Sequence, residues 1–218
     1  MLYIWITIKF SIMLTEEQIN ANYLKFINYL EKYNCYSEEM VKELGERIKY
    51  APYSMEIEYG GAEPGDLINI TLNKLCRIGA EINNNALGTN GKDRITHPYI
   101  CVNQQMLMRV LLLCNIGKAE MFVKTEERWK LNKGINYEFV ENKTHMRLGQ
   151  RSLYLCQKYG IRLEEEEFEA FYSMDKTEEG NEGFNTPLYT LVKAAKNFTM
   201  VELRQEYLNN LNKDNVEK

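Results

Sequence analysis

The stretch MLMRVLLLCNIG, residues Met106 to Gly117, decides the fold of this chain. It is apolar almost all the way round, and a helix without a polar face belongs in the centre of a domain rather than on its surface. The chain has 218 residues, of which 44% are hydrophobic, so it can bury a full core around such a helix. The sequence therefore predicts a mainly α-helical domain.

Two helices are predicted before this central stretch. Thr15, with a glutamine three residues later, has the spacing of a capping box, and apolar residues then recur at helical spacing over about 15–33. Ser37, followed by two glutamates, predicts the start of a second helix over about 37–50. We interpret residues 1–51 as an N-terminal segment with these two accessory helices.

The first twelve residues, MLYIWITIKFSI, are apolar but too short to span a bilayer, and they lack the basic start and cleavage site of a signal peptide. Ile4, Ile6 and Ile8 alternate with other residues, which is typical of a strand. Met13 is an equally good chain start. An edge strand and an upstream start codon both remain open.

Residues 52–212 are predicted to form one helical domain. A run of glycines and a proline at 60–65 breaks the chain before an apolar helix that contains Leu67 and Ile78. The polar residues 83–90 predict a loop, which we interpret as a surface connection in preference to a lid.

The stretch 127–140 predicts the strand pair of the domain. Trp129 and Leu131 precede an Asn-Lys-Gly turn, and Ile135, Tyr137 and Phe139 alternate after it, as in a β-hairpin with a three-residue loop. Helical patterns then resume and reach about Leu211. Residues 213–218 are expected to be a frayed tail.

Charge and cysteine content restrict the partners. The 27 basic and 31 acidic residues leave a net charge of −4, which gives no long-range attraction to nucleic acid or to a membrane surface. A small phosphorylated ligand needs only a few local cations and is not excluded. Five cysteines without a Cys-x-x-Cys pair predict reduced thiols and a cytoplasmic location.

Five segments, in order along the chain, carry the pattern of a known family. Residues 59–73 are similar to Y-H-G-A-x-x-G-G-L-x-x-H-S-L-N, and residues 112–122 to L-F-H-D-L-C-K-x-x-x-Y. Residues 148–155, 169–174 and 187–196 resemble H-G-E-K-S-V-Y-L, A-I-R-W-H-M and P-L-x-x-L-L-H-x-A-D. The chain therefore resembles the HD-domain phosphohydrolases of bacteria and phages. The resemblance implies an HD-domain-like helical bundle with one small β-hairpin insertion.

The resemblance also implies that a metal centre has been lost. That family holds divalent ions through histidine and aspartate side chains, and the ions activate a water and polarise the phosphate that it attacks. Apolar side chains cannot ligate a metal, and a lysine repels one. We expect no metal, no cofactor and no metal-dependent catalysis, and we interpret the only histidines, His97 and His145, as surface residues. The replaced positions are Ile70, Cys114, Asn115, Leu148, Ser173 and Lys196.

Such a pocket can bind a phosphate if protein cations supply the charge that the ions once supplied. The resemblance puts Lys118, Arg151 and Lys196 at or beside the site, and we add Arg147. A charge-assisted contact contributes about 1.5–3 kcal/mol, whereas an ordinary solvated cation contributes nothing of the kind. The predicted ligand-binding set is completed by Asn115 and Ser173 and by the stacking candidates Tyr59, Tyr172 and Trp129.

Binding without turnover indicates sequestration or sensing of a nucleotide signal. The resemblance to phage proteins implies a sponge protein that removes a host immune messenger, such as a cyclic nucleotide or an ADP-ribose-like molecule. The sequence leaves open whether the protein forms a homo-oligomer. One alternative is a protein-interaction scaffold whose old pocket is filled by Ile70, Leu148 and Cys114. A second alternative is a residual nucleotide phosphohydrolase rebuilt from acids such as Glu63, Asp66 or Asp175.

Overall fold

Helices make up most of the computed structural model, which describes residues 13–87, 102–140, 146–174 and 185–216. The predicted mainly α-helical fold with one small β-hairpin is confirmed. The helices are α1 Glu16–Lys32, α2 Glu38–Tyr50, α3 Asp66–Ile70, α4 Cys76–Leu87, α5 Gln104–Leu113, α6 Lys118–Met121, α7 Arg128–Asn132, α8 Leu148–Lys158, α9 Glu165–Ser173 and α10 Pro187–Val216.

The first two helices begin where their caps predict. The Thr15 hydroxyl accepts from the Gln18 amide at 3.2 Å, and the Thr15 amide donates to the Gln18 side chain at 2.9 Å, which completes the capping box. The Ser37 hydroxyl accepts from the Met40 amide at 3.3 Å at the start of α2. These signals are local, so the sequence alone locates them.

A turn of π-helix, Thr71–Leu75, joins α3 to α4, and α4 continues into the segment predicted as a loop. That prediction was wrong for residues 83–87. Asn83 is buried, its Nδ2 donates to the Val102 carbonyl at 3.1 Å and to Gln104 Oε1 at 2.9 Å, and its Oδ1 accepts from the Val102 amide at 3.1 Å. Its polarity therefore reflects hydrogen bonds to the start of α5 rather than contact with solvent. The rest of the predicted loop, 88–90, lies outside the described residues.

The second strand of the hairpin lies where it is predicted, whereas the first strand lies earlier in the chain. Strand β1 is Phe122–Lys124 and pairs antiparallel with β2, Tyr137–Phe139, so that Phe122 faces Phe139. Residues 128–132, expected in the first strand, form α7 instead, and the Leu131 amide donates to the Glu127 carbonyl as in a helix. An alternation of only Trp129 and Leu131 is too short to distinguish a strand from a helical turn, and both side chains are exposed.

Helix α5 lies in the centre of the core, as its composition predicts. Leu107, Val110, Leu111 and Leu113 are fully buried. A Cβ on Gly79 of α4 would lie 2.4 Å from Leu111 Cδ1, so the absence of a side chain there lets α4 approach α5 closely. The same hydrophobic cluster includes Phe26 and Leu30 of α1 and Met40 and Leu44 of α2.

Some expectations fall at the limits of the described residues. Helix α10 continues to Val216, so residues 213–216 of the predicted tail are helical. Cys35, Cys76, Cys114 and Cys156 are buried free thiols, as predicted. The segment 1–12, Cys101, the two histidines and Asp175 lie outside the described residues.

An ion pair between Arg109 and Glu167 joins α5 to α9 inside the protein. Arg109 Nε lies 2.9 Å from Glu167 Oε1, and the Glu167 side chain is fully buried. Glu167 Oε2 also accepts from the Glu164 amide at 2.8 Å. Burial raises the pKa of Glu167, and the Glu164 amide and Arg109 act against that rise.

We expect Glu167→Ala to lower the free energy of unfolding by about 3–5 kcal/mol, because it leaves Arg109 largely buried without its carboxylate. Urea unfolding at pH 7 measures this loss. Glu166→Ala, at the exposed neighbouring position, is the matched control and should change the stability by less than about 0.5 kcal/mol. Equal stability of the two variants would contradict a structural role for the pair.

Candidate functional site

The replaced metal positions differ in burial. Ile70, Cys114 and Asn115 belong to the interior, whereas Leu148, Ser173 and Lys196 are half-buried. The inner three come together around one further residue, Tyr53. Gly61 lies against both Ile70 and Tyr53, since a Cβ on it would lie 2.4 Å from Ile70 Cδ1 and 2.9 Å from Tyr53 Cβ.

Tyr53 is 2% exposed, and its phenol lies among the inner positions. Burial, followed by the nearby Cys114 thiol, raises the pKa of Tyr53, while the side-chain amide of Asn115 lowers it. The Asn115 amide is itself buried and makes no well-oriented hydrogen bond with the described residues. The inner positions therefore form a packed cluster of a phenol, a thiol and an amide.

Lys118 joins this cluster. It is 8% exposed, its Nζ donates to the Tyr53 carbonyl oxygen, and the same Nζ lies 3.7 Å from the centroid of the Tyr53 ring. A carbonyl and an aromatic face are both favourable neighbours for a buried ammonium. The charge of Lys118 is thus accommodated within the protein.

We expect Lys118→Met to lower the free energy of unfolding by about 1.5–3 kcal/mol, because the variant loses a charged hydrogen bond and leaves the Tyr53 carbonyl without that donor. Urea unfolding at pH 7 checks it. Lys124→Met, at an exposed position of β1, should leave the stability within about 0.5 kcal/mol. If both variants unfold at the same urea concentration, the internal contact of Lys118 does not stabilise the fold.

Arg151 lies next to this segment because α8 packs on α6. The Ser152 hydroxyl donates to the Cys114 carbonyl at 2.9 Å and accepts from the Gly117 amide at 3.0 Å. A Cβ on Gly117 would be 3.0 Å from Arg151 Cγ, and Arg151 Nη1 lies 3.6 Å from Glu120 Oε2. The structure therefore places Asn115 and Lys118 on one segment and Arg151 on the helix that packs against it.

An open groove borders these segments at the start of α8. It has a volume of about 310 Å³, and its walls are mainly apolar. The pairing of β1 with β2 brings the rings of Phe122 and Phe139 edge to face, with centroids 5.4 Å apart. Arg147 and Leu148, at the start of α8, line the same groove as these two rings. The lining residues are Met121, Phe122, Phe139, Met146, Arg147 and Leu148, which we call the Arg147 groove.

The predicted stacking residues lie elsewhere. Tyr59 lines a surface cleft beside Met200 and Val201. The Trp129 indole donates to Glu127, and the Tyr172 ring stacks on Phe168 with centroids 6.4 Å apart. Lys196 and Ser173, on α10 and α9, do not line the Arg147 groove either.

Sequence reasoning missed Phe122 and Phe139 as groove residues. Phe139 is part of the alternating Ile135, Tyr137, Phe139 pattern, so its place in a strand was visible. Its partner was not, because the other strand was expected around Trp129 rather than at Phe122.

A second groove, of about 190 Å³, follows the glycine-rich segment that resembles the family. Gly60 and Gly61 have φ angles of +74° and +76°, and Asp66 borders the groove from the first turn of α3. Asp66 is 7% exposed, and burial raises its pKa to about 7 although the Glu63 amide donates to it. We call this space the Asp66 groove. It is lined by Ile57, Gly60, Gly61, Ala62, Asp66, Asn69, Ile70, Lys74, Leu203, Glu206, Tyr207 and Asn210.

Within the described ranges, no group of three or more His, Cys, Asp or Glu side chains is arranged to hold a metal ion. None of the helices described there is long and apolar enough to cross a membrane. Comparison with known proteins finds no matching family model, no similar curated protein and no similar solved structure. The HD-domain resemblance therefore rests on the quoted sequence segments alone.

Proposed function

We propose that this protein is a cytoplasmic, non-hydrolytic binder of a nucleotide or nucleotide-derived signal, and that the ligand occupies the Arg147 groove. The observation that carries this proposal is an apolar, partly aromatic groove with an exposed arginine at its edge, beside the positions of the replaced metal ligands. A phage-encoded sponge that sequesters a host messenger is the biological role that the resemblance adds.

The size and polarity of the groove suit a small organic ligand. Ligand pockets are typically about 300–1,000 Å³, mostly apolar, with a few polar groups that fix the orientation. The volume of about 310 Å³ is at the lower end of that range and suits one base with its sugar, and the open side of the groove leaves space for the rest of a larger ligand. Phe122 and Phe139 supply rings that can contact a planar base.

The charged part of the ligand would meet Arg147 and the amino-terminal end of α8. That helix has 11 residues, and the positive end of its dipole lies at this terminus. A guanidinium forms two parallel hydrogen bonds with a phosphate more readily than an ammonium does. Arg147 is an exposed residue that lines the groove, whereas Lys118 is buried and donates to the Tyr53 carbonyl.

The absence of hydrolysis is proposed from the chemistry of the inner positions. Ile70 and Leu148 have no donor atom for a metal, and Cys114 and Asn115 are packed around Tyr53. A side chain that fills the interior leaves no room for an ion with its attacking water.

The scaffold alternative retains one specific observation in its favour. Ile70 and Cys114 belong to the hydrophobic cluster of the core, so part of the old pocket is occupied by the protein itself. If no nucleotide binds, a protein-interaction role is the remaining interpretation.

A calorimetric and thermal-shift screen tests the proposal, with 3′,5′-cyclic nucleotides, cyclic dinucleotides and ADP-ribose as probes in the presence of EDTA. At a hundredfold excess over its dissociation constant, a bound nucleotide should stabilise the protein by about 2.7 kcal/mol. Arg147→Glu should weaken binding at least about tenfold, because it reverses the charge that meets the phosphate.

The control for this screen is Arg162→Glu, an equally exposed arginine just beyond the other end of α8. It should bind like the wild type. The proposal fails if no probe stabilises the wild type, or if Arg147→Glu and Arg162→Glu bind equally well. Hydrolysis of a probe after addition of Mn²⁺, detected as a nucleoside monophosphate or a linear dinucleotide by mass spectrometry, would instead support the phosphohydrolase alternative.

A further inference from the structure

Two glycines that line the Asp66 groove allow the main chain to approach its neighbours closely. A Cβ on Gly60 would lie 3.1 Å from Leu203 Cβ of α10, and one on Gly61 would lie 2.4 Å from Ile70 Cδ1. Their φ angles also lie in the region that other residues rarely adopt. The turn is therefore fitted between α3 and α10, and the groove runs along it.

One carboxylate oxygen of Asp66 accepts no hydrogen bond from the described residues. Its Oδ2 accepts from the Glu63 amide at 2.9 Å, and no donor in the described part of the chain reaches Oδ1. Since Asp66 is 93% buried yet borders the groove, this oxygen has little access to water except through the groove. A buried carboxylate without a second donor or a cation is unfavourable.

The basic residue that lines the groove, Lys74, is paired with glutamates rather than with Asp66. Lys74 borders the same space, but its Nζ lies 2.5 Å from Glu206 Oε1 and 3.7 Å from Glu202 Oε2. Glu63 and Tyr137 are the further titratable groups that interact with Asp66, and neither is a cation. Among the described residues that line the groove, Asp66 and Glu206 are acidic and Lys74 is basic, so ionised Asp66 leaves the lining with a net negative charge.

We propose that the Asp66 groove binds a small organic cation, with a primary ammonium group at Asp66 Oδ1 and a short apolar stem against Ile57, Ile70 and Leu203. The stem would lie on side chains that already line the groove, and the ammonium would supply the missing donor. This site is separate from the Arg147 groove and does not depend on the proposed nucleotide ligand.

The affinity for the cation should rise with pH, because only the ionised form of Asp66 attracts it. Its pKa is raised to about 7 by burial, so the carboxyl is largely protonated at pH 6 and largely ionised at pH 8. A cation binds the ionised form, so its affinity should rise with pH across this interval. With the other groups unchanged, the ionised fraction rises about tenfold from pH 6 to pH 8.

The test is a titration of the full chain followed by ¹H–¹⁵N NMR, with butylammonium chloride as the probe and butanol as its uncharged match. Butylammonium at pH 8 should give saturable shifts at the amides of Gly60, Gly61 and Asp66, with a dissociation constant about tenfold lower than at pH 6. Butanol should give none that saturate. Equal shifts from the two probes, or the same affinity at both pH values, would overturn the proposal.

Two variants complete the experiment. Asp66→Asn keeps an oxygen that can accept from the Glu63 amide and should abolish saturable binding, whereas Glu202→Gln, which removes an acid of α10 outside the groove lining, should bind as the wild type does. Unchanged binding by Asp66→Asn would contradict the assignment. If Asp66→Asn does not fold, the probe pair and the pH dependence of the wild type still decide the question.

Discussion

The contact of Lys118 with Tyr53 joins the segment that follows α5 to the stretch of chain between α2 and the glycine-rich segment 60–65. The ammonium donates to the Tyr53 carbonyl and lies against its ring, and the same tyrosine packs beside Gly61, Ile70 and Asn115. The inner positions are therefore occupied by protein atoms. Any ligand of this molecule has to bind further out, where the packing leaves space.

The Arg147 groove and the Asp66 groove lie beside this packed cluster, and they suit ligands of opposite charge. The Arg147 groove combines aromatic rings with an exposed guanidinium and the start of a helix, so it suits a planar ligand with an anionic group. The Asp66 groove combines apolar side chains, such as Ile57 and Leu203, with a buried carboxyl, so it suits a cation. Neither groove follows from the metal chemistry that the family resemblance implies.

Local signals made much of the fold predictable. Thr15 and Ser37 cap helices through partners three residues away, and the apolar composition of α5 predicted its burial. Contacts between distant residues were not predictable in the same way. Asn83 was assigned to a loop because its partners, Val102 and Gln104, are about twenty residues further on.

In the candidate site, too, local features are predictable from the sequence and contacts between distant residues are not. The resemblance put Lys118 and Arg151 close together, and they do lie on neighbouring segments, but the burial of Lys118 depends on Tyr53, 65 residues before it. The groove residue Phe122 depends on a strand register that the sequence did not reveal. Positions that act through long-range packing require the structure.

Hydrogen exchange at the inner cluster tests the central claim most directly. If residues 114–118 belong to a packed core, the amides of Cys114, Gly117 and Lys118 should exchange only when the whole protein unfolds, so their opening free energy should equal the global free energy of unfolding. Neither EDTA nor Mn²⁺ should change their exchange rates. Exchange of these amides within seconds, or protection that appears only when Mn²⁺ is added, would contradict it and indicate an open metal site.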